Sequence, residues 1–519
     1  MAASPPRAAH PPLSGTPQVL GTIALSLAVF MNVLDSSIAN VSIPAISGDM
    51  GVSPQQGTWV ITSFAVSNAI SVPLTGWLTM RFGQVRLFIA SILLFVISSF
   101  LCGIAPSIEV LIAARVLQGA VAGPMIPLSQ SLLLASYPPA KSGMALSFWG
   151  MTTLVAPIMG PLLGGWISDN YTWPWIFFIN LPVGILAAWA TWSIYKERES
   201  QVVVRPIDKV GLGLLVVWVG CLQLMLDKGK ELDWFNSAEV VALAAIAFVG
   251  FVYFVIWELT DEHPVVDLSL FKGRNFSGGV IAISVAYGLF FGSLVILPLW
   301  LQTTIGYTAT EAGKVMAPVG ILAIMLSPVV GRILPKVDAR IVASMAFTIF
   351  AIVFFMRSGF TPDVDTRTLM IPTIIQGAAM AMFFIPLTSI ILSGQPPERI
   401  PAAAGLSNFV RIMFGGMGTS IISTLWENRS TLHHAQLVEH AVPGQNPAFD
   451  AATQSLMAQG LPQQGSWAVI ERTLQIQANT LGATDIFYMS AILFLLLIGL
   501  VWMTKPSKSK APVDAGGAH

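Results

Sequence analysis

Val19-Leu-Gly-Thr-Ile-Ala-Leu-Ser-Leu-Ala-Val-Phe-Met-Asn-Val-Leu34-Asp35-Ser-Ser-Ile-Ala-Asn40-Val-Ser-Ile-Pro44 is a run of 26 residues with one ionisable side chain, Asp35. About 20 apolar residues cross the hydrocarbon core of a bilayer as a helix, so the run reads as a membrane span ending at the turn signal Pro44. It is too long for the apolar core of a secretory signal and has no small-residue cleavage site. A carboxylate inside a span costs about 2.5–3.5 kcal/mol on insertion scales. Asp35 therefore calls for a partner or a water-filled cavity. Residues 1–15, rich in Pro, Ala and Ser with Arg7 as their one charge, read as a disordered tail.

The rest of the chain repeats that pattern. Of 519 residues, 54% are hydrophobic and 10% charged, with mean hydropathy +0.73. Soluble domains carry about 25% charged residues, so a soluble enzyme and a disordered regulator are excluded. Net charge is zero, so no long-range field toward nucleic acid or acidic partners is expected. Cys102 and Cys221 lie in apolar stretches and make no disulfide framework or metal motif. Thirteen further apolar runs follow, at about 57–79, 85–105, 108–134, 143–167, 174–195, 209–227, 237–257, 276–300, 313–333, 340–357, 368–393, 401–425 and 484–503. The expected fold is an all-α polytopic membrane protein of fourteen spans with both termini cytoplasmic.

The basic residues sort by side. With the N-terminus inside, Lys228, Lys230, Lys314, Arg357, Arg367, Arg429 and Arg472 fall on the outer face, Arg115 and Arg411 fall within spans, and the other 17 of the 26 Lys and Arg fall on the cytoplasmic side. This is a strong positive-inside bias. One outer segment, 427–484, is long and reads as a partly helical, solvated loop or a docking surface for a partner. Its three histidines, His433, His434 and His440, have no acid or Cys at ligand spacing, so no metal site is expected.

An internal repeat organises the spans. Pro73-Leu-Thr-Gly76 matches Pro328-Val-Val-Gly331, Gln118-Gly119 matches Gln376-Gly377, Ile126-Pro-Leu128 matches Ile385-Pro-Leu387, and Pro138-Pro139 matches Pro396-Pro397, at offsets of 255 to 259. Repeated bundles with a ligand site between them are a signature of secondary transporters. The expected division is a tail at 1–15, a six-helix bundle at 16–196, an inserted helix pair at 197–274, and a second six-helix bundle at 275–504 that includes loop 427–484. A tail follows at 505–519.

Asp35, Arg115 and Arg411 are the ionisable residues read as lying well inside the spans. Counted from the span ends at 1.5 Å per residue, Asp35 and Arg115 both lie about 10 Å deep, so they meet if the first and fourth spans are neighbours, directly or through Gln118. Burial disfavours a carboxylate and a nearby arginine favours it. A cavity that opens alternately to the two sides would tilt that balance, as proton coupling requires; a static packing pair is the other reading. Arg411, with Asn408 as a supporting polar residue, meets an anionic substrate group or a backbone carbonyl, or serves helix packing. In Ala156-Pro157-Ile-Met-Gly160-Pro161-Leu-Leu-Gly164-Gly165, Gly160 and Gly164 permit close helix approach and the prolines bend the helix. Between the second and third spans, Gly76 and Gly83 permit a tight turn beside Arg81 and Arg86. Trp59, Phe64, Trp149, Phe290, Phe291 and Phe384 are candidates to line an apolar cleft.

These motifs resemble the major facilitator superfamily, specifically its drug:proton antiporters with fourteen segments. Leu34-Asp35 through Pro44 is similar to that subfamily's first-helix signature. Arg115-Val-Leu-Gln118-Gly119 resembles its fourth-helix motif, whose arginine is assigned to proton transfer. The 156–165 run resembles the antiporter motif, which separates exporters from importers. The resemblance covers about residues 18–505. It implies a multidrug efflux transporter in the bacterial inner membrane that exports hydrophobic compounds against proton entry, with no cofactor. It also implies a periplasmic adaptor and an outer-membrane channel as partners. The loop motif usually carries an acid where Met80 stands, and Thr373 stands where Arg115 would recur, which places coupling in the first half.

Three rivals are weighed against this. An ATP-driven exporter needs G-x-x-x-x-G-K-[ST], but Glu231 and Val315 follow the two Gly-Lys pairs. A membrane-embedded enzyme needs a catalytic constellation, and all six histidines fall outside the spans. A proton-coupled importer or a metabolite-specific exporter on the same fold is the nearer alternative.

Overall fold

The computed structural model describes residues 11–138, 141–203, 206–229 and 232–506. Arg7, Pro139, Arg205, Lys230, Glu231, Lys508 and Lys510, and most of the two expected tails, lie outside them, as do the side chains of Asn40, Pro44 and Pro161. Among the described residues every regular element is helical. The α-helices are α1 (Thr16–Asp49), α2 (Pro54–Ser71), α3 (Thr75–Phe82), α4 (Gln84–Gly103), α5 (Ile108–Ala122), α6 (Met125–Ser136), α7 (Ser142–Asn170), α8 (Trp175–Phe178) and α9 (Asn180–Tyr195). They continue as α10 (Lys209–Lys228), α11 (Ala238–Thr260), α12 (Arg274–Trp300), α13 (Ala309–Met316), α14 (Val319–Ile333), α15 (Ala339–Arg357), α16 (Thr366–Leu392), α17 (Ile400–Glu439), α18 (Pro447–Ala458) and α19 (Gln463–Trp502).

Twelve helices among the described residues are long and apolar enough to cross a membrane. They correspond to twelve of the expected fourteen runs. The other two runs fall in α7, of 29 residues, and α17, of 40 residues. α7 packs against α1 and α14, and α17 against α12 and α19. Proline and glycine break several runs into shorter helices, as where Gly123-Pro124 separates α5 from α6.

The repeat is visible in how the helices touch. Gly119 is pressed against the Phe64 carbonyl of α2, and Gly377 against the Val319 carbonyl of α14. Position 319 lies 255 residues after 64. Gly76 and Gly331, also 255 apart, each meet the other half of the chain. A Cβ on Gly76 would lie 2.7 Å from the Ala402 Cβ, and one on Gly331 would lie 2.9 Å from the Gly143 carbonyl. Positions 143 and 402 are 259 apart, so the two contacts exchange under the repeat. Both lie toward the side of the chain ends, where a Cβ on Gly405 would also sit 3.1 Å from the Val72 carbonyl. The halves therefore interlock on that side.

Two expectations change here. Segment 427–484 is mostly helix: α17 runs on to Glu439, α18 crosses, and α19 begins at Gln463. At 1.5 Å per residue, the 40-residue α17 and α19 are each about 60 Å long, about twice the thickness of a bilayer's hydrocarbon core, and they pair as a hairpin. His433 Nε2 lies 2.8 Å from Asp485 Oδ2 and His434 Nε2 lies 2.7 Å from Glu471 Oε1, stapling the two helices together. Arg357, expected on the outer face, is instead fully buried.

Candidate functional site

Asp35 is completely buried on α1, and every contact it makes is with a donor. Arg115 Nη1 of α5 donates to Asp35 Oδ2 at 2.6 Å. Gln118 Nε2, one turn further along α5, donates to Asp35 Oδ1 at 3.1 Å, and Asn180 Nδ2 at the start of α9 donates to the same oxygen at 2.8 Å. Three donors and no acceptor suit an ionised carboxylate, which can only accept. Ser99 Oγ of α4 receives Gln118 Nε2 at 2.7 Å and Asn180 Nδ2 at 3.2 Å, tying four helices to one acid. Arg115 also donates Nη1 to Gln118 Oε1 at 2.6 Å and Nε to the Val60 carbonyl at 2.9 Å, and its guanidinium lies 4.2 Å from the Phe64 ring centroid. Asn180 is absent from the sequence-based site. Its signal was a polar residue in the apolar run Phe177-Phe-Ile-Asn180-Leu.

A cavity of about 520 Å³ lies between the halves, on the far side of Phe64. Asn32, Val33, Ser36 and Ser37 of α1 line it on either side of Asp35 in sequence. Phe64, Phe290, Phe291 and Phe384 line it, as does Pro157 of the glycine-proline run. Two of the proposed aromatics are elsewhere. Trp149 is buried in the N-terminal core with its Nε1 donating to Ser129 Oγ at 2.9 Å, and Trp59 lies under the Lys228 ammonium, 5.5 Å from its centroid. Aromatic type alone does not reveal which face of a helix a ring occupies.

Among the described residues, Arg411 is the only formally charged one lining the cavity. Its guanidinium lies 5.1 Å from the centroids of both Tyr287 and Phe384. Nη2 donates to Asn408 Oδ1 at 2.5 Å, and Asn408 Nδ2 donates to Gln130 Oε1 of α6 at 2.9 Å. This chain of polar groups runs from the cavity wall to the contact between the two halves.

The glycines of α7 serve the same helix that carries Asp35. A Cβ at Gly160 would collide with Ser37 Oγ, and one at Gly164 would lie 2.8 Å from the Ile38 carbonyl. At the turn before α4, Gly83 has φ 86°, the left-handed region that favours glycine. Glu199 closes against it, accepting from Val85 N at 3.0 Å and Arg86 N at 2.9 Å. Glu199 thus caps the N-terminus of α4 beside the loop motif. Arg86, 71% exposed, reaches it only at 3.9 Å.

In the second half, Arg357 Nη2 donates to Gln376 Oε1 at 2.7 Å and to Thr373 Oγ1 at 3.2 Å. By the offset of 258 that relates Gln118 to Gln376, Arg357 occupies the position of Ser99. Each half therefore buries an arginine on its repeated glutamine, delivered by different helices, and Asp35 pairs only the first. Among the described residues no group of three or more His, Cys, Asp or Glu is placed to hold a metal.

The family model of the Major Facilitator Superfamily matches residues 25–419. The chain is 53% identical to the multidrug export protein EmrB of Haemophilus influenzae over 497 residues, covering 96% of this chain and 97% of that protein. It is 50% identical to the fatty acid resistance protein FarB of Neisseria gonorrhoeae over 508 residues, covering 98% and 99%. Its fold is similar to the crystal structure of the human organic anion transporter MFSD10, with a TM-score of 0.59 at 12% identity, covering 94% of this chain and all of that one.

Proposed function

The chain belongs to the major facilitator superfamily and is a secondary transporter rather than an enzyme, and we propose that it is a proton-driven exporter of hydrophobic compounds, multiple drugs among them. The observation that carries this reading is the Asp35–Arg115 pair set one side chain away from the central cavity. Asp35 accepts from three donors, so a proton on it cancels the charge that holds them and weakens the Arg115 contact most. The guanidinium that holds it rests on Phe64, and Phe64 lines the cavity. Cargo pressing on Phe64 moves Arg115 and weakens its hold on the carboxylate; a proton on Asp35 frees Arg115 and shifts Phe64 in return. The interlocked side of the molecule is the cytoplasmic one in this reading, so the cavity faces outward and α7 slides on α14 of the other bundle as the halves rock.

Efflux against protons requires two results in proteoliposomes of the purified chain. An imposed pH gradient drives uptake of a hydrophobic dye, and adding the dye to de-energised vesicles moves protons. A dye flux indifferent to the gradient overturns proton coupling, and flux in the same direction as protons overturns export.

Arg411 gives the cavity a preference for cargo with an anionic group on a hydrophobic body, in keeping with the fatty acid resistance ascribed to a relative. Hydrogen bonds to charged groups contribute about 1.5–3 kcal/mol. Arg411→Gln is expected to weaken apparent affinity for an anionic dye about ten- to a hundredfold and to leave a neutral dye nearly unchanged. Equal losses for both dyes would return Arg411 to a packing role.

On the same reading fourteen spans lie in the bacterial inner membrane, counting α7 and α17, in two bundles of six about the inserted pair α10 and α11, with both chain ends cytoplasmic. The α17–α19 hairpin then rises into the periplasm as the docking post for an adaptor that leads to an outer-membrane channel. Replacing 441–462 by a short Gly-Ser link is expected to abolish co-purification of the adaptor and to spare dye transport in liposomes. Full recovery of the complex would remove the hairpin from that role.

A further inference from the structure

A second cavity, of about 690 Å³, lies where α10 and α11 lean on α17. Its lining side chains are all hydrophobic or aromatic, with Trp218, Phe251, Phe254, Phe409 and Met413 among them. A site without polar partners does not hold water. Its outer wall is open to the surroundings at Phe248, which is 69% exposed, on α11, a helix apolar enough to span the bilayer. Of the twelve candidate spans, α10 and α11 are the least buried. At that depth the surroundings are hydrocarbon, so what fills this cavity is a hydrocarbon body.

α17 is the partition between this groove and the central cavity. Positions 406, 409, 410, 413, 414 and 417 face the groove, and 411, 412, 415, 416 and 419 face the cavity, the two faces of one helix. The partition is thin at one level. Gly415 and Gly416 present no side chains there. Among the described residues of α10 and α11, Gln223 is the one that lines the central cavity, and it donates to Met413 Sδ of the groove wall at 3.3 Å. A hydrogen bond to a thioether is weak, and methionine is the most adaptable apolar side chain.

We propose that the groove is a lateral entry site for membrane-dissolved hydrophobic cargo, and that Gln223 and Met413 form its gate into the central cavity. This rests on the efflux reading above. The inserted pair then has a task of its own: it builds one wall of an entrance that the two bundles alone do not provide. The occupant is the cargo itself, whose hydrocarbon part can leave the bilayer on one side of the partition and meet Arg411 on the other.

The test uses the full chain in lipid nanodiscs with two photoreactive probes, a long-chain fatty acid and a phosphatidylcholine bearing the same mid-chain diazirine. The fatty acid is expected to label Phe409 and Met413 in the groove and Phe291 in the central cavity, and the phospholipid to label only the rim at Phe248. Filling the groove with Ala244→Trp, or more gently with Ala244→Phe, should remove fatty-acid labelling at Met413 and reduce it at Phe291 in parallel, with the thermal midpoint of the protein unchanged. Phospholipid labelling at Met413 as strong as that of the fatty acid would make the groove a lipid seat and overturn the proposal. So would Phe291 labelling that survives in a folded, groove-filled variant. Labelling needs no proton gradient, so its failure is distinct from failure of drug-driven proton movement.

Discussion

Asp35→Asn is expected to abolish drug-driven proton movement while preserving exchange of labelled for unlabelled drug across the same vesicles. The substitution keeps the side chain's shape and removes its charge. Asp35 Oδ1 accepts from Gln118 and Asn180, and Oδ2 from Arg115, so the new amide NH₂ must face a donor whichever way it turns. If the carboxylate is ionised in the state shown, the substitution leaves a buried guanidinium without a counter-charge, a loss of about 3–5 kcal/mol that appears as a lower thermal midpoint. If the resting state holds a protonated acid, there is no counter-charge to lose and the midpoint falls by less. The stability measurement thus reports the protonation state, and the exchange assay separates coupling from folding. Intact proton movement by the Asp35→Asn protein would mark the pair as a static packing element.

Much of this site was legible in the chain because charge is scarce in it. Asp35 and Arg115 stood out as lone charges in apolar runs, and counting residues from the span ends placed them at one depth, where the structure brings them together. Arg357 defeated the same counting. It is the last residue of α15, so its number puts it at the membrane surface. Side chains on a helix tilt toward the helix N-terminus, and Arg357 turns back into the span to reach Gln376. Asn180 does not stand out in the sequence, because an amide carries no insertion penalty as large as a charge. The apolar pattern ends near 425, so beyond it the sequence indicates no more than a partly helical loop. Helix formation needs no apolar residues once the backbone is in water and its neighbours supply partners, as Asp485 and Glu471 do for His433 and His434. The groove beside α17 was not visible at all, since it arises from how loosely two helices lean on a third.

The second large effect is expected at Gly160 and Gly164, and the two should differ in whether they can be rescued. A Cβ at Gly160 meets Ser37 Oγ first and lies 2.7 Å from Ser37 Cβ, with Ile38 N further off at 3.1 Å. A Cβ at Gly164 meets the Ile38 carbonyl at 2.8 Å, which is backbone and has nowhere to go. Overpacking costs about 1–3 kcal/mol even where side chains can adjust; at Gly164 helices α1 and α7 must separate. Asp35 sits two residues before Ser37, so any such separation moves the carboxylate away from Arg115 on the opposite face of α1. Gly160→Ala should therefore impair transport and raise the passive proton permeability of drug-free proteoliposomes, and Ser37→Gly in the same chain should restore both. Gly164→Ala should cause the larger loss, and Ser37→Gly should not repair it. Gly213→Ala on α10, where an added Cβ has no neighbour within 4 Å, should match the unmodified chain. Rescue of Gly164→Ala by Ser37→Gly, or equal damage at Gly213, would show that these glycines do not act through the α1–α7 contact.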